Sequence, residues 1–340
     1  MTKIISPAEG AVVSLQTERQ RTFFSLSAQK DETVSKDARK ALDWLNLERS
    51  GNADCTFPAP LTVTCETDDP APVLMLSVSP DFENAVRIPC SGGSVTLENL
   101  LADTVYYLKI ADSAPRSFRT ADEAPRWCHA DGLSNIRDAG VWKTEDGHRV
   151  RQGCIYRGSE MDTHHTITED GIRALKQDLH IRTDLDLRGE AVGRVTESPA
   201  GKDIRFLLIP ASAYADFLKA EDGYRATARR IFEVLADEDN YPIYYHCWGG
   251  ADRTGTIAFL LGAVLGVPRD DLLVDYELTS LSIWGSRSRE SELFAGFLSA
   301  MEGYAPGCSV REQAEAFLRS CGVQEETLIS LRRNLLIPDR

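Results

Sequence analysis

Ten consecutive residues combine a thiol, a guanidinium and small residues at a spacing suited to chemistry on an oxyanion. They read His-Cys-Trp-Gly-Gly-Ala-Asp-Arg-Thr-Gly from His246 to Gly255, so Cys247 lies six positions before Arg253. A thiolate is a strong nucleophile, and the planar fork of an arginine can bind two oxygens of a phosphate at once. The spacing therefore indicates a thiolate that attacks phosphorus.

The flanking residues predict the elements that must position this thiol. An apolar, β-rich run precedes it at 241–245, and a helix-prone run follows at 256–265. A strand, a tight loop and a helix N-terminus bring several backbone N–H groups and the positive end of the helix dipole to one place. The loop residues expected to bind phosphate are Trp248, Gly249, Gly250, Ala251 and Thr254.

The segment has three other interpretations. A lone cysteine after an apolar strand is usually a small buried residue, but that explains neither the glycine pair nor the arginine. Gly250 to Gly255 has the spacing of a nucleotide-binding loop, yet Thr256 stands where that loop requires lysine. A rhodanese-like or arsenate-reducing thiol remains an alternative.

The motif His-Cys-x5-Arg-Thr-Gly resembles the active-site loop of the protein tyrosine phosphatases. Its ending resembles the Gly-Lys-Asp-Arg-Thr-Gly form of a bacterial branch that acts on phosphotyrosine and, in some members, on phosphoinositides. Matching segments occur in the same order at 135–147, 155–160 and 183–188, so the resemblance covers about 125–340. Ala251 departs from the branch's usual lysine, which weakens the case for a multiply phosphorylated lipid headgroup.

The resemblance implies roles for individual residues. Cys247 would be the nucleophile, Arg253 would stabilise the charge on phosphorus, and Asp252 would protonate the leaving oxygen. Asp216, after the strand expected at 204–209, is the alternative general acid. Trp248 either lines the pocket mouth or packs beneath the loop. The residues expected to support the site from behind are His246, Arg137, Asp138, Arg157, Asp186 and Arg188.

The function expected is hydrolysis of phosphate monoesters, phosphotyrosine above all, through a phosphocysteine intermediate. Phosphoinositide or inositol-phosphate hydrolysis is the alternative within the enzyme class, and a phosphoprotein-binding module without turnover is a second alternative. The substrate partner would be a phosphorylated protein or a small phosphomonoester. No cofactor is implied, and His164, His165, Glu169 and Asp170 do not have the spacing of a metal site.

Composition narrows the class of protein further. The chain has 340 residues, enough for two domains, and its net charge of −14 argues against nucleic acid or an anionic membrane as a partner. No run of eighteen apolar residues occurs, so no membrane span is predicted. Its eight cysteines show no zinc spacing, and reduced thiols are the simplest interpretation. Nothing in the composition indicates an oligomeric state.

The start of the chain has no apolar segment of signal-peptide type, so a cytoplasmic location is expected. A secreted protein would be expected instead if a leader segment had been removed.

Two domains are expected, with a short linker at 121–126 between them. Residues 1–121 would form an all-β, sandwich-like domain, and the segment from Leu97 to Thr120 resembles the end of a fibronectin type III-like module. A helical insert is predicted at about 35–48. The strands predicted for this domain are 11–15, 22–26, 61–66, 73–78, 85–88, 94–97 and 105–110.

Residues 122–340 would form the catalytic domain, an α/β cysteine-phosphatase fold with a mostly parallel sheet flanked by helices. Strands are predicted at 183–187, 204–209 and 242–246, and a helix at 224–235. A capping box, Thr166 to Glu169, is predicted to open another helix. Several helices are expected between 270 and 334. Cys247 would then lie at the carboxyl end of a strand, where ligands bind in such sheets.

Overall fold

The chain divides into two compact units. The computed structural model describes residues 2–30, 54–189 and 195–339. One unit comprises residues 1–17 with 58–126, and the other comprises 18–57 with 127–340. The helix predicted at about 35–48 lies outside the described residues.

The first unit contains two β-sheets that share one apolar core. Strands β1, β3 and β6 form one sheet in the order β1-β3-β6, and the other has the order β2-β8-β7-β4-β5. Buried residues from both sheets, among them Val63, Leu74 and Leu108, belong to one cluster. This arrangement agrees with the predicted sandwich, while the likeness to a fibronectin type III module stays a prediction. The strands are β1 Lys3–Ser6, β2 Ala11–Val13, β3 Leu61–Glu66, β4 Val73–Ser77, β5 Val86–Pro89, β6 Ser94–Leu97, β7 Val105–Ile110 and β8 Arg116–Thr120.

The strand predicted at 22–26 is wrong, because these residues belong to helix α1, Glu18–Ala28. Its buried residues Gln20, Phe23 and Ser27 have helical spacing, but two of them are polar and conceal the pattern. The helix belongs to the second unit, so residues 1–121 do not form one continuous domain.

The second unit is built on a five-stranded sheet of order β13-β12-β14-β11-β9. Strands β11, β12, β13 and β14 run parallel, and only β9 at the edge is antiparallel. The predicted mostly parallel sheet is thus confirmed. Its strands are β9 Arg137–Asp138, β11 Ile155–Gly158, β12 Thr183–Asp186, β13 Arg205–Leu208 and β14 Ile243–His246; a separate ribbon pairs β10 His148–Val150 with β15 Leu336–Pro338.

Helices surround this sheet, as predicted. The helix expected at 224–235 is present as Asp222–Ala236, with Ala228, Ile231, Phe232 and Leu235 buried. Among the described residues, the α-helices that follow α1 are α2 Glu169–Arg173, α3 Asp222–Ala236, α4 Asp252–Leu265, α5 Arg269–Leu278, α6 Glu292–Glu302, α7 Val310–Ser320 and α8 Glu325–Leu335.

The predicted capping box at Thr166 is wrong by two residues. Thr168 is the N-cap of α2, and its side chain accepts a hydrogen bond from the Gly171 N–H. A π-helical turn, Ala174–Asp178, continues α2. Leu175 and Leu179 are buried on this element, as the periodicity predicted.

No helix in the described ranges is both long and apolar enough to cross a bilayer. All eight cysteines lie among the described residues, and no disulfide joins any of them.

Candidate active site

Cys247 follows the central strand of the parallel sheet. Strand β14 pairs with β11 on one side and β12 on the other, and Cys247 comes directly after its last residue, His246. Helix α4 begins at Asp252, so residues 248–251 form the loop between strand and helix. The cysteine is 3% exposed. The thiol therefore lies at the carboxyl edge of the sheet and at a helix N-terminus, as predicted.

The loop carbonyls are held by groups outside the loop. Arg157 Nη2 donates to Gly250 O at 2.8 Å, and Asn135 Nδ2 donates to Gly249 O at 3.0 Å. The Glu160 N–H donates to Trp248 O at 3.0 Å. No backbone acceptor among the described residues pairs with the N–H groups of 248–253. With its carbonyls engaged elsewhere, the loop has these donors available for an anion.

The two loop glycines are required by close approach. Gly250 has φ +64°, and a Cβ there would lie 2.4 Å from the carbonyl oxygen of Gly158 on β11. A Cβ on Gly249 would lie 2.5 Å from the Trp284 ring. A side chain at position 250 would move the loop, whereas one at position 249 would displace either the loop or the Trp284 ring.

A buried ion network supports the loop from below. Asp275 on α5 accepts from Arg137 Nε at 3.0 Å and from Arg157 Nη1 at 2.6 Å. Burial lowers the pKa of Arg137 to about 10, despite the opposing charge of Asp275. Burial would raise the pKa of Asp275, but the two arginines outweigh it and the pKa lies below its usual value. Asp138 serves another purpose: it accepts from the N–H groups of Gly140 and Gly153.

A second network surrounds His246. Its Nε2 lies 3.0 Å from Asp184 Oδ1, and its Nδ1 lies 3.2 Å from Cys247 O. Burial would lower the pKa of His246, but the charge and hydrogen bond of Asp184 raise it to about 9. As an imidazolium, His246 can donate to both oxygens and thereby orient the backbone of the nucleophile.

The third support is Arg188. It forms a bidentate pair with Asp186, from Nε to Oδ1 at 3.0 Å and from Nη2 to Oδ2 at 2.8 Å, and its Nη1 donates to Glu160 Oε2 at 2.9 Å. Its guanidinium also lies 5.3 Å from the centre of the Trp248 ring, a cation–π distance. Trp248 therefore both packs on this network and lines the pocket described next.

A pocket of about 310 Å³ opens over the thiol. Asp252 and Arg253 line it, whereas Asp216 does not: its side chain is 64% exposed and pairs with Lys219. The pocket is lined by His164, Cys247, Trp248, Gly249, Ala251, Asp252, Arg253, Trp284 and Arg287.

Asp252 is held by two side chains that the sequence did not single out. Arg287 donates to both of its oxygens, at 3.0 and 3.1 Å, and the Tyr214 hydroxyl donates to Oδ1 at 2.5 Å. The carboxyl is still 44% exposed, so it remains open to the pocket.

The surroundings of Cys247 favour the thiolate. Burial would raise the pKa of the thiol, but the hydroxyl and backbone N–H of Thr254 and the charge of Arg253 outweigh it, and the pKa lies below its usual value. The Thr254 hydroxyl has no oxygen or nitrogen partner among the described residues, which leaves it available to the sulfur. A thiol with a lowered pKa at a helix N-terminus is suited to attack phosphorus as the thiolate.

The raised pKa of His246 predicts a pH-dependent stability. The pKa of His246 rises from 6.5 in the unfolded chain to about 9 in the folded protein, so the protonated imidazole stabilises the fold. This stabilisation is complete below pH 6.5 and is lost as the pH rises through 9. The loss is on the order of 3 kcal/mol. Urea unfolding between pH 6 and 9 in a Cys247→Ser background, where the thiol no longer titrates, should show the decline. His246→Asn should flatten it; an equal decline in both proteins would contradict the assignment.

Several residues of the site escaped the sequence analysis. Asp275, Asp184 and Glu160 each lie in a segment that was recognised, yet their pairing with distant arginines and a histidine depends on the fold. Arg287 and Trp284 lie in an irregular stretch between α5 and α6, without periodicity or motif. The three-residue spacing between Trp284 and Arg287 matches no binding or catalytic motif, so nothing in the sequence marked either residue as functional.

The chain matches known proteins over this same region. A family model described as the tyrosine phosphatase family matches residues 128–337. A Cupriavidus necator protein provisionally named a tyrosine-protein phosphatase is 27% identical over 168 residues, covering 43% of this chain and 60% of its own length. A tyrosine-protein phosphatase of Nostoc commune is 25% identical over 127 residues, covering 32% and 43% respectively. The chain thus spans about half the length of these relatives.

Two solved structures are also similar. The core catalytic domain of the PP-IP phosphatase SIW14 of S. cerevisiae, in complex with citrate, is 13% identical, with 52% of this chain and 96% of that one covered and a TM-score of 0.32. TpbA of P. aeruginosa is 17% identical, with 50% and 90% covered and a TM-score of 0.31.

Proposed function

The chain belongs to the tyrosine phosphatase family, and from that premise we propose that it hydrolyses phosphate monoesters, phosphotyrosine in particular, through a phosphocysteine. One observation carries the proposal. The buried Cys247, with its lowered thiol pKa, lines the same pocket as Arg253, in a loop whose backbone N–H groups pair with no backbone acceptor of the described residues. A rhodanese-like or arsenate-reducing thiol acts on a small inorganic substrate and would not need the aromatic walls of this pocket.

In the first step the Cys247 sulfur attacks phosphorus, and the bond from phosphorus to the ester oxygen breaks. Arg253 and the loop N–H groups stabilise the equatorial oxygens. A single preorganised donor of this kind contributes about 3 kcal/mol to catalysis. In the second step water attacks phosphorus, the sulfur–phosphorus bond breaks, and phosphate leaves with the thiolate restored.

We assign the general acid to Asp252. Its carboxyl would give a proton to the departing ester oxygen in the first step and take one from the attacking water in the second. It lines the pocket, and Tyr214 and Arg287 fix its orientation. Asp216 is the less suitable acid, because its side chain is exposed and does not line the pocket.

The pocket walls favour an aryl ester over an inositol ring. Trp248 and Trp284 each lie edge to face with His164, at ring-centroid distances of 4.9 and 5.5 Å. Such a wall suits the flat ring of phosphotyrosine. Ala251 contributes no charge, and the fork of Arg287 is already engaged by Asp252. A headgroup with several phosphates would therefore find few unpaired cations here.

The proposal is tested by a substrate panel together with trapping of the intermediate. Phosphotyrosine peptides, phosphoserine peptides and phosphoinositides are assayed side by side for phosphate release. The reaction with a phosphotyrosine peptide is quenched rapidly with acid during turnover, and the protein is then digested. The fragment of the protein that contains Cys247 should carry a phosphate. Faster release from phosphoinositides would favour the alternative substrate, and tight binding without release would indicate a binding module.

A further inference from the structure

Two segments outside the region of family resemblance belong to the same compact unit as the pocket. The matched residues begin at 128, whereas α1 and residues 54–57 come much earlier in the chain. Phe23 of α1 is fully buried in a cluster with Trp127, Leu278 and Leu281. The compact unit that contains the site therefore includes chain that lies outside the family match.

The first link runs from α1 to the wall of the pocket that carries Arg287. Ser27 Oγ donates to Glu277 Oε2 at 2.6 Å, and Arg289 Nη2 donates to Ser27 Oγ at 3.0 Å. Arg289 also donates to Glu277 Oε1, from its Nε at 2.8 Å and from its backbone N–H at 2.9 Å. Glu277 and Ser27 are buried. The backbone is thus fixed two residues from the arginine that holds Asp252.

The second link runs from α1 to the catalytic loop. Gln20 Nε2 donates to the carbonyl oxygens of Cys55 and Phe57, at 2.9 and 2.8 Å. Between them, Thr56 Oγ1 accepts from the backbone N–H of Asn135 at 2.8 Å. Asn135 in turn holds the carbonyls of the two loop glycines. The Cys55 N–H donates to Leu281 O at 2.9 Å, which ties this segment to the other link.

We propose that Glu18–Ala28 and residues 54–57 are a positioning element of the active site. Through Ser27, Glu277 and Arg289 they fix the segment from which Arg287 orients Asp252, and through Thr56 they fix Asn135 and the loop. The inference rests on the proposed function, since it assigns a catalytic consequence to these contacts. The Ser27 hydroxyl joins the two ends of the buried ion pair, because it donates to Glu277 Oε2 and accepts from the same Arg289 Nη2 that donates to that oxygen. Its loss removes both of these hydrogen bonds and loosens the Arg289 side chain, while the direct pair with Glu277 remains.

The test of the first link compares esters with good and poor leaving groups. Ser27→Ala should lower kcat/KM roughly tenfold for phenyl phosphate, which has a poor leaving group; this factor corresponds to about one lost hydrogen bond. The kcat/KM for p-nitrophenyl phosphate, which has a good leaving group, should change much less. A poor leaving group needs the proton of Asp252, so Asp252→Asn should also lose kcat/KM mainly on phenyl phosphate. The ratio of its losses on the two esters is the reference for Ser27→Ala. The matched control is Lys30→Ala, which removes an exposed ion pair between the same helix end and Asp270.

A readout that does not depend on turnover accompanies this assay. Amide hydrogen exchange in residues 282–291 should become faster in Ser27→Ala and stay unchanged in Lys30→Ala. Thr56→Val, of nearly the same shape, should instead accelerate exchange around 248–251 and reduce kcat equally on both esters, since the loop serves every substrate. Arg289→Met is a second variant of the first link and should reproduce the Ser27→Ala pattern.

The inference is wrong if Ser27→Ala loses kcat/KM equally on both esters, or if amide hydrogen exchange in residues 282–291 is unchanged. In either case α1 would contribute to stability alone and would not position the site. If the wild-type protein released phosphate from neither ester, the proposed function would fail. The exchange measurement would then still decide whether α1 positions the segment.

Discussion

Replacing Cys247 by serine is expected to reduce phosphate release from a phosphotyrosine peptide on the order of 10⁶-fold, the scale of losing a covalent nucleophile. The oxygen of serine stays protonated at neutral pH, whereas the surroundings of Cys247 lower the pKa of the thiol. The loop donors are unaffected, so the variant should still bind the peptide. Stopped assays of phosphate release and calorimetric titration of the variant measure the two quantities.

The matched control is Cys308→Ser, which changes an exposed cysteine outside the pocket and should leave turnover unchanged. Undiminished turnover in Cys247→Ser would eliminate the phosphocysteine route. Loss of both turnover and binding would mean that the substitution had disturbed the loop, which near-ultraviolet circular dichroism would reveal.

Replacing Asp275 by alanine is expected to lower the free energy of unfolding by a large amount. The carboxylate neutralises two guanidinium groups, and Arg137 and Arg157 are respectively 0% and 2% exposed. Removing one partner of a buried ion pair costs about 3–5 kcal/mol, because the remaining charge is left without compensation. Urea unfolding should show that loss. Activity should fall too, since Arg157 also holds the Gly250 carbonyl.

Asp270→Ala provides the control on the same helix. Its carboxylate is 55% exposed and pairs with the exposed Lys30, so the unfolding midpoint should hardly move. If the two variants unfolded alike, the network beneath the loop would not contribute to stability as proposed.

The sequence was sufficient where chemistry and spacing are local. Cys247, Arg253 and Asp252 lie within seven residues, so one strand–loop–helix segment brings them together whatever the rest of the chain does. Strands such as Leu61–Glu66 and Val105–Ile110 were predicted correctly because their alternation reflects burial on a sheet face. Resemblance supplied the three arginines beneath the loop and Asp186, the partner of Arg188, but not Asp275, which pairs with Arg137 and Arg157.

The sequence was insufficient where polar groups are buried. Gln20 and Ser27 lie on the buried face of α1, so the helix lacks the apolar periodicity by which a sequence pattern is recognised. Its residues were therefore predicted as a strand of the first domain. Asp138 was expected behind the loop, but it accepts from backbone N–H groups at a neighbouring turn. Arg287 came from a segment without regular structure, and only the folded chain brings it to Asp252.

The place of α1 in the second unit has a consequence for biosynthesis. Ser27 pairs with Glu277, 250 positions later, so the helix leaves the ribosome long before its partners exist. Meanwhile residues 58–126 can complete their own core, since it draws only on the early chain. Until the last third is translated, Phe23 of the nascent α1 lacks Val274, Leu278 and Leu281, and this incomplete cover favours aggregation and chaperone capture at that stage of synthesis.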